Sequence, residues 1–385
     1  MEEIPFSRPF LAGTEVGYVE QAAGQGRLAS GGAFTARCEE WLANATGARR
    51  ALLSHSGTGA LEAAMMLANL GPGDEAIMPS FAYPTMATAV VRQGATPVFV
   101  DIDPDTLNID PEQVDVAVGP RTKAVVAVHY GAVACEMESL LQIVADREDV
   151  TLIEDAAHCL LASYRGRHLG SIGDLGTLSF HHTKNVTSGE GGALLVNDPD
   201  LCERAEIVWE KGTDRKRFDR GEIDRYTWVD VGSSFAASEI TAAFLWGQLE
   251  IVEEITARRL AIWNRYHEAF ADLEAEGLVT RPKVSDGQEH NGHLYYLILP
   301  TPEDRDAFID ALRAQGIAAV FHYIPLHSSP AGLALGRSAG ELAHTDGLSR
   351  RLVRLPLWAG LDEESISRVI DASRSTAGSG TGFRV

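Results

Sequence analysis

Short apolar segments alternate with stretches that favour helix from residue 51 to about residue 197. The segments that we predict to be strands are residues 98–101, 124–128, 151–155, 178–180 and 192–196. Strands that alternate with helices in this way are typical of an α/β fold with a largely parallel sheet. Polar or turn residues follow the first three strands, and open parallel sheets bind their ligands at that end. We therefore expect a ligand site along the carboxyl edge of this sheet.

The pattern changes after residue 238. A long helix is predicted from residue 238 to about 273, because Leu245, Leu249 and Val252 repeat at helical spacing. A strand at residues 293–299, a helix at 304–315 that Gly316 terminates, and a strand at 317–323 follow it. These elements predict a large domain of residues 1–250 and a small α+β domain of residues 251–385. The segment from about residue 373 is rich in Gly, Ser and Thr, so we expect a flexible tail there.

Composition argues against several classes of partner. The chain has 385 residues, of which 45% are hydrophobic, and its 33 basic and 54 acidic side chains give a net charge of -21. Such a charge repels nucleic acids and anionic membranes, so we expect neither as a partner. No apolar run approaches the roughly 20 residues that span a bilayer, and the first residues lack the pattern of a secretory signal. We therefore expect a soluble, cytoplasmic protein, in which helix termini and a few arginines can still bind a small anionic substrate.

The four cysteines are scattered along the chain without paired spacing; they are Cys38, Cys135, Cys159 and Cys202. This argues against a disulfide framework and against a zinc cluster, so we predict ordinary reduced thiols and no metal site.

Lys184 carries the most specific chemical signal. It lies in the polar run of residues 179–185, just before the cluster Gly189, Gly191 and Gly192. A lysine amine can condense with the aldehyde of pyridoxal phosphate if its surroundings make the neutral amine available near pH 7. An isolated lysine is more often a solvated surface residue, so the interpretation depends on its companions.

Three motifs precede Lys184 and fit the same cofactor. Gly57 and Thr58 lie in a turn of small residues that opens a helix, which suits a phosphate group but is equally typical of a plain N-cap. Tyr83 can stack on a planar ring, although aromatic residues more often pack in cores. Asp155, at the end of an apolar strand, can pair with a protonated pyridine nitrogen or can simply cap a helix.

Ser179 completes the set, because it stands five residues before Lys184 and offers a hydroxyl to a phosphate. Each signal is weak alone. Their order along the chain, from phosphate turn through aromatic and acidic strand end to serine and lysine, predicts a site for pyridoxal 5'-phosphate.

With these motifs, the chain resembles the DegT/DnrJ/EryC1/StrS family of sugar aminotransferases from residue 8 to residue 361. The resemblance implies a fold-type-I architecture like that of aspartate aminotransferase, and a homodimer with active sites at the subunit boundary. It also implies a role for each residue. Lys184 matches the Schiff-base lysine, Asp155 the partner of the pyridine nitrogen, Gly57, Thr58 and Ser179 the phosphate ligands, Tyr83 the ring-stacking aromatic, and His158 a Gln-or-His position beside the ring.

Residues 228–239 are similar to the branch that aminates carbon 4 of dTDP-linked 4-keto-6-deoxyhexoses. The wider family has a Gly-x-Asn-x-Arg-Met segment here, whose asparagine reaches the cofactor phosphate of the neighbouring subunit. This chain has Ser234 at the centre and Ala236 in place of the arginine, so by resemblance Ser234 takes the role of the asparagine. Residues 321–327 resemble a small-domain segment that brings Tyr323 or His327 to the substrate; a packed strand with a proline turn is an equal alternative.

The resemblance implies a two-stage transamination through a Schiff base on Lys184, with L-glutamate as the amino donor and a nucleotide-linked keto sugar as the acceptor. The alternatives are an aminotransferase for a 3-keto sugar, a pyridoxamine-dependent sugar dehydratase, and a sensor that binds cofactor or sugar without turnover. Dehydratases among the relatives carry histidine at the lysine position, so Lys184 favours amino transfer. A sensor has no evident use for both Lys184 and Asp155.

Residues 211–225 form the densest basic segment of this acidic chain. Acidic residues nearly balance the basic ones there, so a solvated surface loop is the favoured interpretation. The alternative is that Arg215 or Arg220 binds the nucleotide diphosphate.

Overall fold

The computed structural model of the chain describes residues 2–26, 28–147 and 149–378. Its strands are β1 (Arg50–Ser54), β2 (Glu75–Pro79), β3 (Thr96–Val100), β4 (Thr122–Val128), β5 (Thr151–Asp155), β6 (Ser163–Tyr164), β7 (Arg167–His168), β8 (Leu175–Ser179), β9 (Gly192–Val196), β10 (Gln288–Glu289), β11 (Tyr295–Ile298), β12 (Val320–Phe321), β13 (Arg337–Ser338) and β14 (Leu352–Leu355).

The helices are α1 (Glu15–Gly24), α2 (Ala33–Thr46), α3 (Gly57–Leu67), α4 (Thr85–Arg92), α5 (Pro111–Ala117), α6 (Met137–Val144), α7 (Cys202–Trp209), α8 (Arg215–Asp219), α9 (Glu239–Leu249), α10 (Val252–Ala269), α11 (Ala271–Ala275), α12 (Pro302–Ala314), α13 (Pro330–Leu335), α14 (Ala343–Ser349) and α15 (Glu363–Gly378). Short 3-10 turns lie at Tyr130–Ala132, Pro199–Leu201 and Leu326–Ser328.

Eight strands form the main sheet, in the order β1-β9-β8-β5-β4-β2-β3-β13. Neighbouring strands from β8 to β13 are parallel, whereas β9 runs antiparallel to both β1 and β8. The predicted α/β fold with a largely parallel sheet is therefore confirmed. The five predicted strands are also present, with ends that differ by a few residues.

Both faces of this sheet are covered, which explains why its strands are continuous apolar runs rather than alternating ones. In β4, Val125 and Ala127 pack into one hydrophobic cluster with helices α2 and α9. Ala124 and Val126 point the other way and pack into a second cluster with α3 and α4. Successive side chains of a strand lie on opposite faces, so one run of small apolar residues fills two cores.

A second, antiparallel sheet has the order β11-β14-β12. Helices α10, α12 and α15 pack on it around a third cluster that includes Trp263, Tyr295, Phe308 and Val369. The boundary predicted at residues 250 and 251 falls between α9 and α10, and the division into two domains stays a prediction.

The single helix predicted from residue 238 to about 273 is wrong. The structure has three helices there, separated at Glu250–Ile251 and at Phe270. Helix α9 and the first turn of α10, with Val252 and Ile255, pack into the core of the main sheet, whereas Ile262 and Trp263 farther along α10 pack into the core of the small sheet. This stretch therefore serves two cores, and neither break contains Gly or Pro that would reveal it in the sequence. Helix α12 ends before Gly316 as predicted, but the strand predicted at residues 317–323 is reduced to β12.

The flexible tail predicted from residue 373 is also wrong for residues 373–378, which form the end of α15. Ser373 and Ala377 are buried there, and Arg374 pairs with Asp272. Small side chains let this last turn lie close to the third cluster, so a composition typical of a loop is compatible with a packed helix. The rest of the predicted tail lies outside the described residues.

Among the described residues, no helix is both long and apolar enough to span a membrane. All four cysteines are unpaired, and Cys38, Cys135 and Cys159 are buried.

Candidate active site

A cavity of about 360 Å³ opens at the carboxyl edge of the parallel strands, where the sequence predicted a ligand site. Eight of the predicted site residues line it; they are Gly57, Thr58, Tyr83, Asp155, His158, Ser179, Lys184 and Tyr323. They come from the ends of β5 and β8, the start of α3 and four loops. The fold therefore collects residues that are more than a hundred positions apart.

One wall of the cavity is the start of helix α3. Ser56 caps this helix by accepting the Gly59 amide at 3.0 Å. Gly57 lies so close to Ser179 that an added Cβ would stand 3.0 Å from the Ser179 Cβ. The first amides of a helix have no intrahelical partner and lie at its positive end. Together with the Ser179 hydroxyl they make a phosphate cradle, by which we mean a set of N–H and O–H donors of the kind that suits a phosphate monoester.

Lys184 lines the same cavity from the loop after β8, where its amide donates to the His181 carbonyl at 2.9 Å. Burial lowers the pKa of Lys184 from 10.5 to about 8, although the nearby Asp155 opposes the shift. At neutral pH about a tenth of the amine is therefore uncharged and can act as a nucleophile.

Asp155 ends strand β5, and its Oδ1 accepts the Ala157 amide at 3.1 Å. Burial raises the pKa of Asp155 above its ordinary value, and that amide and the charge of Lys184 oppose the shift. A carboxylate in this position gains from a cation beside it, such as a protonated ring nitrogen.

Glu154, the residue before Asp155, is fully buried, and its side chain lies on the opposite face of β5. Its carboxylate accepts the amides of Gly170, Ile172 and Gly173 at 2.6–2.8 Å and the Nε2 of His129 at 2.8 Å. Burial alone would raise the pKa of Glu154, but these bonds hold it below its ordinary value. Glu154 thus anchors the carboxyl end of β5 on the face of the strand that lies away from the cavity.

His158 is held as a neutral imidazole. Its Nδ1 accepts the Gly131 amide at 3.3 Å, and its ring stacks on His293 at 4.0 Å between centres. Burial lowers the pKa of His158 well below 6.5, and the charge of Lys184 lowers it further. The proton therefore resides on Nε2, which can donate to an oxygen of a bound ring.

Tyr83 stands at the mouth of the cavity, with 57% of its surface exposed. Its ring lies 5.0 Å from that of Tyr323, which also lines the cavity. The stacking role of Tyr83 stays a prediction.

Four predicted site residues do not line this cavity. Ser234 is exposed and forms a backbone bridge with Glu210. Arg215 and Arg220 line a separate cavity of about 800 Å³. His327 is turned toward Ser80, whose hydroxyl lies 2.7 Å from its Nδ1.

Tyr130 and His322 also line the cavity and were not predicted as site residues. Tyr130 follows the end of β4 and could have been identified from that position, since neighbouring strand ends meet at one edge. His322 stacks on Phe81 with ring centres 3.8 Å apart and lies next to Tyr323 in a segment that had been singled out. The stack of His293 on His158 had no signal in the sequence.

The model of the DegT/DnrJ/EryC1/StrS aminotransferase family matches residues 10–374 of the chain. The chain belongs to this family. It is 36% identical over 376 residues to the GDP-perosamine synthase of Caulobacter vibrioides, covering 97% of this chain and 98% of that protein.

Solved structures agree with the assignment. The aminotransferase TlmJ from Streptoalloteichus hindustanus is similar with a TM-score of 0.88 and 29% identity, over 97% of this chain and 99% of that one. Spr1654 from Streptococcus pneumoniae, solved in a PLP form, is similar with a TM-score of 0.89 and 26% identity, over 98% of this chain and 99% of that one. The chain is thus a pyridoxal-phosphate-dependent aminotransferase of the sugar aminotransferase family, and the resemblance seen in the sequence is confirmed.

The residues present fit the cofactor of this family. The first amides of α3 and the Ser179 hydroxyl suit a phosphate, Asp155 suits the ring nitrogen, and the amine of Lys184 suits the aldehyde. His158 would lie beside the ring with its Nε2–H available.

The shifted pKa of Lys184 predicts how this aminotransferase takes up its cofactor. Because only the neutral amine attacks an aldehyde, the rate at which the apoprotein binds pyridoxal phosphate covalently should rise about tenfold per pH unit below pH 8 and level off above it. Stopped-flow absorbance of the lysine-bound cofactor measures this rate. A rate that still rose between pH 9 and pH 10 would show an unshifted lysine.

Proposed function

We propose that this aminotransferase transfers the amino group of L-glutamate to carbon 4 of a dTDP-linked 4-keto-6-deoxyhexose. Amino transfer is supported by one observation above all: Lys184 and Asp155 face a single cavity that also contains the phosphate cradle. The choice of carbon 4 and of dTDP is supported by the similarity of residues 228–239 to that branch of the family.

The two stages use the same residues. Pyridoxal phosphate, when bound, supplies an electron sink for the carbon that bears the migrating nitrogen. Lys184 would hold the cofactor through its amine until the amine of the donor displaces it. The Lys184 amine would then act as general base and acid, taking a proton from the substrate carbon and returning it. Asp155 would hold a proton on the ring nitrogen in both stages.

We propose a homodimer in which Ser234 reaches the cofactor phosphate of the partner subunit. Ser234 is exposed, and the strand-like segment around it carries exposed apolar side chains, with Trp228 at 76% and Val231 at 55%. Apolar groups in such numbers on one segment favour a protein interface.

Arg215 and Arg220 stay candidates for the nucleotide diphosphate. Arg220 is already paired with Glu206 at 2.7 Å and with Glu222 at 2.6 Å. Arg215 is paired less closely, because its Nε lies 3.8 Å from a carboxylate oxygen of Asp219, and its guanidinium lies over the ring of Tyr226. Fewer of its N–H groups therefore have a carboxylate partner. Alanine variants that leave the KM for the sugar nucleotide unchanged would assign both residues to a surface loop.

A panel of nucleotide-linked keto sugars tests the proposal. Purified protein with L-glutamate should aminate a dTDP-4-keto-6-deoxyhexose at carbon 4, as seen by mass spectrometry and NMR of the product. The panel should include GDP-linked and 3-keto sugars, because a relative is named for a GDP sugar. Amination at carbon 3 alone would contradict the proposed position.

The same panel separates the other reaction classes. A product that loses a hydroxyl group without gaining nitrogen would indicate a dehydratase. A protein whose yellow colour does not fade with any amino acid would indicate a sensor.

A further inference from the structure

The ring of His293 lies face to face with that of His158, with centres 4.0 Å apart and planes inclined by 20°. His293 lies two residues before β11 of the small sheet, whereas His158 follows β5 of the main sheet. Both side chains line a small cavity that Lys184 also lines. The stack therefore joins the chain that leads into the small sheet to the cofactor site.

The backbone that carries His293 is anchored on both sides. Arg259 of α10 is buried, and its Nε and Nη2 donate to the carbonyls of Gly292 and His293. A Cβ added at Gly292 would stand 2.9 Å from the backbone of Arg259, so glycine permits this close approach. The side chain of Asn291 donates to the His158 carbonyl at 2.7 Å. The place of His293 relative to His158 is therefore fixed by the backbone as well as by the stack.

Hydrogen bonds also determine where each imidazole carries its proton. Asn185 donates from Nδ2 to the Asn291 carbonyl at 3.1 Å, and its Oδ1 lies 2.9 Å from Nδ1 of His293. Since an amide oxygen only accepts, the proton of His293 is on Nδ1. His158 has the opposite tautomer, because its Nδ1 accepts the Gly131 amide. Burial lowers the pKa of both rings well below 6.5, so both are neutral.

One hydrogen bond does not fix the imidazole of His158. The bond from the Gly131 amide to its Nδ1 is 3.3 Å long, which is longer than most N–H···O bonds in proteins. A ring held at one atom can still turn about that atom, and this would move Nε2–H. The face of His293, 4.0 Å away, blocks the motion because the two rings would overlap. The stack therefore sets the direction in which Nε2–H donates.

We propose that His293 is a positioning residue of the cofactor site, whose ring holds the imidazole of His158 so that Nε2–H donates to an oxygen of the bound cofactor ring. Asn185, which accepts the proton of His293, is the residue after Lys184, so the same contact ties the loop of the reactive amine to the small sheet. This role depends on the predicted role of His158. It does not depend on which sugar or which amino donor the enzyme uses.

Two substitutions separate the stack from the hydrogen bond. His293→Phe keeps a ring against His158 but cannot donate to Asn185. His293→Asn keeps an N–H donor near the position of Nδ1 but removes the ring. The matched control is His267→Asn, because His267 also stacks on an aromatic ring, that of Trp263 at 4.6 Å, and is not among the residues that line the cavity.

The first measurement uses the apoprotein with isotope-labelled histidines, because nitrogen NMR distinguishes the two tautomers of a neutral imidazole. His158→Gln identifies the signal of His158 by removing it. The natural apoprotein should carry the His158 proton on Nε2 and the His293 proton on Nδ1. His293→Phe and the control should keep the His158 tautomer, whereas His293→Asn should give a mixture of both tautomers.

The second measurement uses the protein loaded with pyridoxal phosphate. Circular dichroism of the yellow band, relative to its absorbance, reports whether the cofactor is held in one orientation. His293→Asn should lose much of this signal and should slow the donor stage by about tenfold to a hundredfold, the effect expected when an active-site group is displaced. His293→Phe should recover both, and His267→Asn should change neither.

Equal losses in His293→Phe and His293→Asn would overturn this role, since His293 would then support the fold through its hydrogen bond. A His293→Asn protein with an unchanged His158 tautomer and unchanged dichroism would overturn it as well, since the stack would then position nothing. If His293→Asn does not fold, two other results still decide. A His158 proton on Nδ1 in the natural apoprotein, or loss of the natural His158 tautomer in His293→Phe, would contradict the role, and the opposite results would support it.

Discussion

Lys184→Ala should lose the yellow absorbance of lysine-bound pyridoxal phosphate and its turnover together. The amine of Lys184 is the group in the cavity that can condense with an aldehyde, and its pKa of about 8 also suits proton transfer at neutral pH. Since general acid–base catalysis alone contributes up to about 10⁴-fold, we expect the rate to fall by at least about that factor. Absorbance of the dialysed protein and a coupled assay of keto-acid release measure the two effects.

The control is Lys283→Ala. Lys283 is exposed and pairs with Asp105, and neither residue lines the cavity, so colour and rate should be unchanged. A small external amine should restore part of the rate of Lys184→Ala, because it replaces the missing base. A Lys184→Ala protein that stayed yellow after dialysis and turned over would disprove the assignment.

The second large effect is expected for Asp155→Asn. Asparagine keeps the shape and can still accept the Ala157 amide, but it cannot hold a proton on the ring nitrogen by charge. The cofactor should still attach to Lys184, so the yellow colour should remain. Losing one preorganised electrostatic group typically slows catalysis by about 10²- to 10³-fold, and we expect a fall of this size in kcat.

A cofactor methylated at the ring nitrogen distinguishes this role from a structural one. It carries a permanent positive charge and therefore makes Asp155 unnecessary for protonation. The methylated cofactor should restore most of the rate of Asp155→Asn. If the variant is equally slow with both cofactors, Asp155 acts by maintaining the fold.

Much of the site could be predicted because many of the side chains that line the cavity lie at or just after the ends of strands. Asp155 and Ser179 are the last residues of β5 and β8, and Gly57 begins the helix after β1. Each of these positions has a local signal, an apolar run followed by a polar or small residue. Parallel strands bring such ends to one edge, so their order along the chain was sufficient to infer one cavity.

The rest depends on contacts between distant segments, which local patterns do not encode. His293 reaches the neighbourhood of Lys184 from the segment just before β11 of the other sheet. The helix break at residues 250 and 251 contains neither Gly nor Pro, so the local sequence gives no sign of it. The composition of residues 373–378 wrongly predicted a flexible tail, because small polar residues suit a close helix contact as well as a loop.

The bonds of Glu154 have a consequence for its neighbour. Adjacent residues of a strand point to opposite faces, so a slip of β5 by one position would turn Asp155 away from the cavity and Glu154 out of its buried niche. Glu154 fits a buried niche with four matched donors, and Asp155 could not satisfy them with its shorter side chain. Glu154, whose carboxylate lies away from the cavity, therefore sets the register of β5. That register places Asp155, and not Glu154, toward the cavity.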